Sequence, residues 1–282
     1  SAVQNITISN IEITQLNVIS NDETKANLVY ITDYSSGSWY FPMKIYLMNW
    51  TFSNCAISSN ADIVYLPINW GYWSYSEVKF QNISVSDTTF EWYATFVRVE
   101  INAVNDDSLS LDFNSIIIDD ITFRRNTISY TKLFGFEYPY SYSIKCAELF
   151  HVQFSNVVLE SNSFSEGSFV ISDGFLISAS SFTVSNVDLV TTSSLFLNTA
   201  IVSTFFLTNS QLTDITLSDR SGIAISSITD ERDWRLEACH NDNDYAIFAE
   251  TRPFIVYNTT FTNVNADLNS VLFSSTNPVP MI

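Results

Sequence analysis

The sequence predicts an all-β fold, a single parallel β-helix of about eight coils, and two observations lead to this prediction. A ten-residue pattern recurs eight times along the 282 residues, and apolar and polar residues alternate within it with a period of two. This alternation is typical of β-strands. The copies begin at Asn5, Asn49, Glu77, Asp120, His151, Ser181, Asn209 and Asn258. A basic unit of about thirty residues, with loops inserted in three places, indicates a solenoid, a propeller or an array.

The sixth residue of the pattern is polar in every copy and separates two strands. This column contains Asn10, Asn54, Asn82, Arg125, Asn156, Asn186, Asp214 and Asn263. The alternation restarts after the column, so we interpret it as a corner. Stacked coils place like residues above one another, and an Asn at a corner can bond to the backbone and to the Asn of the next coil. The sequence therefore predicts one internal Asn ladder, with a local break at Arg125.

A third apolar run follows the two strands in most units and completes the predicted coil. Such runs lie at 28–31, 63–66, 96–101, 169–171 and 223–225. Three short strands without helical periodicity describe one coil of a parallel β-helix. A propeller blade would need tight hairpins, yet Asp173-Gly174 is the only dipeptide of the Asn-Gly or Asp-Gly type in the sequence.

With these repeats the chain resembles the right-handed parallel β-helix of pectin-lyase-like proteins, in which stacked Asn ladders at a corner are common. The Phe-Ser-Asn residues at 52–54 and 154–156 also resemble β-helical repeats in large secreted or surface glycoproteins of protists such as ciliates. The resemblance extends from Asn5 to about Asn277. It implies one right-handed β-helix domain over residues 1–282, either complete or part of a longer assembly. One fold hosts many activities, so the resemblance does not define a function.

Composition and charge limit the classes of partner. A hydrophobic fraction of 46% with 15% charged residues excludes a disordered chain. The net charge of −18 predicts repulsion from nucleic acids and anionic membranes. No apolar stretch approaches the roughly 20 residues that span a bilayer. We expect other copies of this chain, other surface proteins or neutral glycans as partners.

Four sequons predict N-linked glycans and an extracellular location, either secreted or at the cell surface. They begin at Asn5, Asn49, Asn82 and Asn258. Asn5, Asn49 and Asn258 occupy the first column of the repeat, which is polar in every copy. We expect this column to face solvent, where a glycan can be attached. No other cofactor is expected.

The three cysteines fall into two groups. Cys55 occupies an otherwise apolar column and is predicted to be a buried, inert thiol. Cys146 and Cys239 lie in two inserted loops. If these loops meet, the two residues can form one disulfide in an oxidising compartment.

The sequence lacks the catalytic motifs of pectin-lyase-like enzymes. The hydrolases of that family have a His flanked by glycines and an Arg-x-Lys pair, and neither His151 nor His240 has a neighbouring glycine. Asp106-Asp107 and Asp119-Asp120 could supply paired carboxylates, but we interpret both doublets as solvated turns. Residues 241–244 alternate oxygen ligands without the Gly and closing Glu of a calcium loop. We therefore predict no enzymatic activity and no metal site.

The two ends of the repeat array suggest the leading hypothesis for function. Neither end has a polar or helical cap, and an uncapped coil offers an unpaired strand edge. The leading hypothesis is an extracellular structural glycoprotein that stacks end to end into a filament or surface coat. One alternative is a carbohydrate-active β-helix enzyme on a neutral polysaccharide. The other is an adhesin-like module that binds glycans or proteins through aromatic clusters at 39–41, 70–75 and 138–142.

Overall fold

A computed structural model describes residues 4–19, 26–31, 43–70, 75–103, 114–137, 150–172, 176–198, 205–226 and 254–275. Within these ranges every regular element is a β-strand. The strands, in chain order, are β1 (Gln4–Thr14), β2 (Asn17–Ile19), β3 (Asn27–Tyr30), β4 (Met43–Ser53), β5 (Ala56–Ser58), β6 (Asp62–Trp70), β7 (Tyr75–Ser86), β8 (Thr89–Glu91), β9 (Thr95–Ala103), β10 (Asn114–Arg124), β11 (Thr127–Ser129), β12 (Lys132–Glu137), β13 (Phe150–Glu160), β14 (Ser163–Ser165), β15 (Ser168–Ser172), β16 (Leu176–Val190), β17 (Ser194–Asn198), β18 (Phe205–Thr208), β19 (Gln211–Leu217), β20 (Gly222–Ser226), β21 (Phe254–Tyr257), β22 (Thr260–Ala266) and β23 (Val271–Ser275).

The strands pair in parallel and wind into a solenoid. One sheet contains β1, β4, β7, β10, β13 and β16 as successive neighbours, and the other contains β3, β6, β9, β12, β15, β17, β20 and β23. Each strand pairs with the equivalent strand of the next coil, as β1 does with β4 and β3 with β6. The predicted all-β parallel β-helix is confirmed, including the third strand of the unit.

The interior of the solenoid is filled by stacked apolar columns, because the register places like residues above one another. One such column contains Ile6, Ile45, Val78, Ile116, Val152, Ile177, Phe205 and Phe254. Phe134 lies at the centre of the core and is fully buried. Its ring centroid lies 5.2 to 5.9 Å from the rings of Phe96, Phe123, Phe154 and Phe169. These contacts join coils on both sides of Phe134.

Residues with positive φ recur at five-residue intervals and form the corners. Left-handed backbone is most accessible to Asn and Asp among residues with a Cβ. The first corner contains Asn10, Asn49, Asn82, Asp120, Asn156, Ser181, Asn209 and Asn258. The second corner contains Gln15, Asn54, Asp87, Arg125, Ser161, Asn186, Asp214 and Asn263. The third corner contains Ser59, Trp92, Tyr130, Glu166, Thr191 and Asp219.

The prediction of a single internal Asn ladder is wrong. Ile11 pairs with Trp50, so Asn10 lies above Asn49 and not above Asn54. Of the predicted ladder residues, the first corner holds Asn10, Asn82 and Asn156, and the second holds Asn54, Asn186, Asp214 and Asn263. All seven of these Asn and Asp side chains are exposed. The same alternating pattern flanks the two corners, so a shift of five residues aligns the repeats equally well.

The exposed corner columns still form side-chain ladders. At the first corner Asn82 Nδ2 donates to Asn49 Oδ1 at 2.9 Å, and Asn49 Nδ2 donates to Asn10 Oδ1 at 3.2 Å. The break predicted at Arg125 is wrong, because this residue keeps the corner conformation with φ of 53°. Its Nε and Nη2 each donate to a carboxylate oxygen of Asp87 at 2.7 Å. This hydrogen bond lowers the pKa of Asp87 below its ordinary value.

A second polar ladder, formed by Thr88, Asn126 and Asn162, is buried directly after the second corner. Asn126 Oδ1 accepts from the backbone N–H of Thr88, and Asn162 Oδ1 accepts from the backbone N–H of Asn126, both at 3.0 Å. The amide groups of Asn126 and Asn162 donate to the carbonyls of Val85 and Phe123. Each side chain therefore pairs backbone groups that the corner leaves without a strand partner. We name these three residues the buried ladder.

Candidate functional site

The four sequon asparagines are all exposed, but their arrangement differs from the predicted one. Asn49, Asn82 and Asn258 lie at the first corner. Asn5 lies within β1 and pairs with Lys44. The prediction that Asn5, Asn49 and Asn258 share one column is therefore wrong. The cause is the same five-residue shift that made the prediction of a single ladder wrong.

The cysteine predictions have different outcomes. Cys55 is buried, and its Sγ lies 3.3 Å from the carbonyl oxygen of Ser53. The buried thiol is thus confirmed. Cys146 and Cys239 lie outside the described residues, so their disulfide stays a prediction.

The carboxylates of Asp119 and Asp120 have different surroundings. Asp120 lies at the first corner, whereas Asp119 Oδ1 accepts from Ser155 Oγ at 2.7 Å and from Asn156 Nδ2 at 2.9 Å. Burial raises the pKa of Asp119, but these hydrogen bonds outweigh it and hold the pKa below its ordinary value. Asp106, Asp107 and residues 241–244 lie outside the described residues.

His151 is held as a neutral ring in the outward part of β13. Its Nε2 lies 2.7 Å from Ser178 Oγ, and its Nδ1 lies 3.1 Å from Gln153 Nε2. The amide nitrogen of Gln153 can only donate, so Nδ1 is the acceptor and Nε2 carries the proton. Burial lowers the pKa of His151. Across the part of the chain that the structure describes, no three His, Cys, Asp or Glu side chains are grouped as metal ligands.

A groove of about 490 Å³ lies along the third corner and the outer face of the second sheet. It crosses five coils, from Asn60 in the coil of β4–β6 to Leu197 in the coil of β16–β17. We call it the corner groove. Its lining includes Tyr93, Arg98, Tyr130, Lys132, Glu166 and Ser168.

The corner groove lies where the third corner is shortest. Two residues, 130–131 and 166–167, link the strands in the two central coils. Three residues, 92–94 and 191–193, link them in the flanking coils. The additional corner residues of the flanking coils, Tyr93 and Thr192, also have positive φ and line the groove. A difference of one residue in the corner therefore produces the depression.

The charged side chains beneath the corner groove are paired with one another. Arg98 Nη2 lies 3.3 Å from Glu100 Oε2 and 3.1 Å from Glu137 Oε2, and Lys132 contacts the other oxygen of Glu137. Tyr65 donates to Glu100 at 2.9 Å, and burial together with this carboxylate raises the pKa of Tyr65. Arg98 Nε is buried without a hydrogen-bond partner among the described residues.

Two aromatic side chains, Tyr93 and Tyr130, form the rim of the corner groove, and Trp92 packs on one of them. Trp92 and Tyr130 stack in parallel, with 4.6 Å between ring centroids and an interplanar angle of 1°. Tyr93, the next residue along the corner, is 70% exposed. No sequence pattern marks this rim, because Trp92 and Tyr130 come from a corner column that otherwise holds Ser, Glu, Thr and Asp.

By its fold this chain is a repeat protein of the parallel β-solenoid class. No protein-family model and no curated protein matches it. Among solved structures it is similar to HetL, a pentapeptide repeat protein of the cyanobacterium Nostoc sp. strain PCC 7120 involved in heterocyst differentiation regulation. The identity is 11%, over 91% of this chain and 90% of that chain, with a TM-score of 0.24.

Two further solved structures show a similarly distant likeness. The plasmid-mediated fluoroquinolone resistance protein QnrB1 is 13% identical over 91% of this chain and 92% of its own, with a TM-score of 0.19. The A-module of the mannuronan C-5 epimerase AlgE6 of Azotobacter vinelandii is 10% identical over 98% and 91%, with a TM-score of 0.18. At these values the likeness indicates no function for this chain. In the described ranges no helix is long and apolar enough to cross a membrane.

Proposed function

We propose that this chain is a non-catalytic structural module of an extracellular glycoprotein, and that its copies stack end to end into a filament or surface coat. The observation that carries this proposal is the complementarity of the two end coils, in apolar surface and in hydrogen bonding. A second copy in the same orientation would place the coil of β21–β23 against the coil of β1–β3. Head-to-tail contacts of this kind generate a filament unless the rotation between copies closes them into a ring.

Apolar side chains of both end coils are exposed where their neighbours in register are buried. Leu28 is 44% exposed, whereas Ile63 beside it in the next coil is 1% exposed. At the other end Leu272 is 39% exposed, whereas Ile223 is fully buried. Covering apolar surface stabilises an association by roughly 25 cal/mol per Å². Each end therefore gains by contact with another coil.

The first-corner ladder has a donor at one end and an acceptor at the other. In the steps from Asn49 to Asn10 and from Asn258 to Asn209, the Nδ2 of the later coil donates to the Oδ1 of the earlier coil. In a head-to-tail contact, Asn10 Nδ2 of one copy would meet Asn258 Oδ1 of the preceding copy. The ladder would then continue across the junction with the same polarity.

The apolar columns would also continue across such a junction. Following the strand register from coil to coil, Ile6 and Phe254 belong to one inward column, and Ile13 and Phe261 belong to another. A parallel contact between β1 and the β21–β22 segment keeps both columns in line. The junction would thus repeat the contact that already joins neighbouring coils.

Charge placed in the inward column of an end coil is expected to block assembly. We expect Phe261→Lys to abolish filaments, because the ammonium group would have to be buried at the junction. Filaments of the unchanged chain should repeat at roughly 40 Å, from coils spaced about 4.8 Å apart. Electron microscopy and sedimentation velocity measure both properties.

Two further variants keep the assembly test decisive. Tyr257→Lys adds the same charge to the same coil at an exposed, outward position and should leave assembly intact. Asn10→Gly keeps the positive φ, removes the junction donor and should weaken association about tenfold, which is about 1.4 kcal/mol. An unchanged chain that stays monomeric at about 1 mM would contradict the proposal.

Glycans at the exposed sequons are expected to obey a spacing limit. We expect modification of Asn5 and Asn258 in native material, and of only one residue of the pair Asn49 and Asn82 on any one molecule. Nδ2 of Asn82, the atom that carries a glycan, lies 2.9 Å from Asn49 Oδ1, so two glycans there would crowd each other. Intact mass before and after deglycosylation, with glycopeptide mapping, measures the occupancy. No mass loss, or joint occupancy of Asn49 and Asn82, would contradict this expectation.

A further inference from the structure

We propose that the corner groove binds a neutral oligosaccharide, with its sugar rings packed against the exposed rings of Tyr93 and Tyr130. The site goes beyond the proposed structural role, because it lies on the side of the solenoid and not at its ends. Four features of the groove support this inference: its rim, its charge pairing, the polar groups of its lining and its size.

The aromatic rim offers flat apolar faces to a ligand. Tyr93 is 70% exposed, and Trp92 and Tyr130 are exposed although they stack on each other. Grouped exposed aromatic side chains on a soluble protein mark interaction sites more often than isolated ones. A sugar ring presents a face of C–H groups that packs on such a ring, while its hydroxyl groups remain at the edge to bond polar groups.

The charge pairing in the groove favours a neutral ligand. Arg98 is engaged by Glu100 and Glu137, and Lys132 by Glu137, so neither cation is available as a free counter-charge. Glu166 adds a further carboxylate to the lining. An anionic polysaccharide would therefore meet unfavourable charge here, and also from the chain as a whole, whose net charge is −18.

The polar groups in the lining fit the hydroxyl groups of a sugar. The carboxylate of Glu166 accepts from the Tyr130 hydroxyl and keeps further lone pairs that can accept from a ligand hydroxyl. The side-chain amide of Asn60 lies in the same lining and can both donate and accept.

The size and position of the groove fit an extended ligand. Its volume of about 490 Å³ lies within the range of roughly 300–1,000 Å³ that is usual for small-molecule sites. It runs along the solenoid axis through coils that are not end coils. Assembly by the end coils would leave the grooves open, so a failure of assembly and a failure of binding are separate outcomes.

Isothermal titration calorimetry with defined probes tests the proposal. The neutral probes are hexasaccharides of β-1,4-glucose, β-1,3-glucose, β-1,4-mannose and N-acetylglucosamine, and the comparison probes are a galacturonic acid hexamer and a Gly-Ser peptide of similar length. We expect at least one neutral probe to bind with Kd below about 1 mM. The two corner variants, Tyr93→Gly and Tyr130→Gly, should weaken this binding at least about tenfold.

The variants separate loss of the rings from loss of the fold. Tyr93 and Tyr130 have φ of 66° and 53°, and glycine adopts this conformation freely, so both substitutions preserve the corner without creating a sequon. Tyr257→Ser removes an exposed ring outside the groove and should leave binding unchanged. Circular dichroism should show the same β signal for all three variants. Binding by no neutral probe, tighter binding of the acidic hexamer or the peptide, or equal loss in Tyr257→Ser would overturn the assignment.

Discussion

Replacing Phe134 with alanine is expected to lower the free energy of unfolding by about 3–5 kcal/mol. The ring is fully buried and lies within 5.9 Å of the centroids of four other phenylalanine rings. Phe96 belongs to the coil before it, and Phe154 and Phe169 belong to the coil after it. The loss therefore weakens two coil interfaces at once. The coils cannot close the gap, because hydrogen bonds hold neighbouring strands about 4.8 Å apart. Urea denaturation followed by circular dichroism measures the change.

The control for this substitution is Phe261→Ala in an end coil. Phe261 is only partly buried, and its ring lies 5.9 Å from that of Phe273. We expect it to cost less than about half as much as Phe134→Ala in dilute solution. Equal losses would show that the central rings contribute no more than those at the end, and would contradict the assigned core.

The sequence was sufficient to predict the strands of the coil but not the stacking of one coil on the next. Period-two alternation and the third apolar run follow directly from side chains that alternate between core and solvent. The register depends on which corner each Asn occupies. Asn49 and Asn54, like Asn258 and Asn263, lie five residues apart and occupy two different corners. This interval was visible in the sequence and is the signal that would have separated the two columns.

The candidate site could not be predicted in the same way, because it depends on a difference between coils. Tyr93 and Tyr130 belong to strand connections that differ by one residue in length. A repeat alignment that is centred on the first two corners does not show this difference in length at the third corner. The paired charges beneath the groove are similarly dispersed, since Arg98 and Glu137 are brought together only by the pairing of β9 with β12.

The buried ladder was missed for a physical reason that also indicates its importance. Asn126 and Asn162 follow the second corner, in a column where other coils have Leu16, Cys55 and Val187, so they look like exceptions to an apolar position. Their amides occupy that position because they pair backbone groups of the preceding coil. When an otherwise apolar column contains Asn in two successive coils, the pattern therefore indicates buried backbone groups that need a hydrogen-bond partner.

Asn162→Ala is accordingly expected to lower the free energy of unfolding by about 2–5 kcal/mol, because it leaves buried backbone groups unpaired. The substitution removes the acceptor of the Asn126 backbone N–H at 3.0 Å and the donor to the Phe123 carbonyl at 2.9 Å. Urea denaturation under the conditions used for Phe134→Ala measures the loss. In the exposed ladder, Asn156→Gly keeps the positive φ and should cost no more than about 0.5 kcal/mol.

Asn162→Thr distinguishes loss of hydrogen bonding from loss of packing. Thr88 occupies the same column, where its hydroxyl accepts from the backbone N–H of Cys55 at 3.4 Å and donates to the carbonyl of Ser86 at 2.9 Å. In the same geometry a threonine at position 162 can accept from the Asn126 backbone N–H, but it would donate to the carbonyl of Glu160 in its own coil. The Phe123 carbonyl would stay unpaired, so we expect threonine to recover about half of the stability that alanine loses. If Asn162→Ala and Asn156→Gly cost the same, or if threonine recovers nothing, the ladder does not stabilise the corner through these bonds. If threonine restores part of the stability, the corner requires a side chain that hydrogen-bonds to the preceding coil, and that side chain need not be Asn.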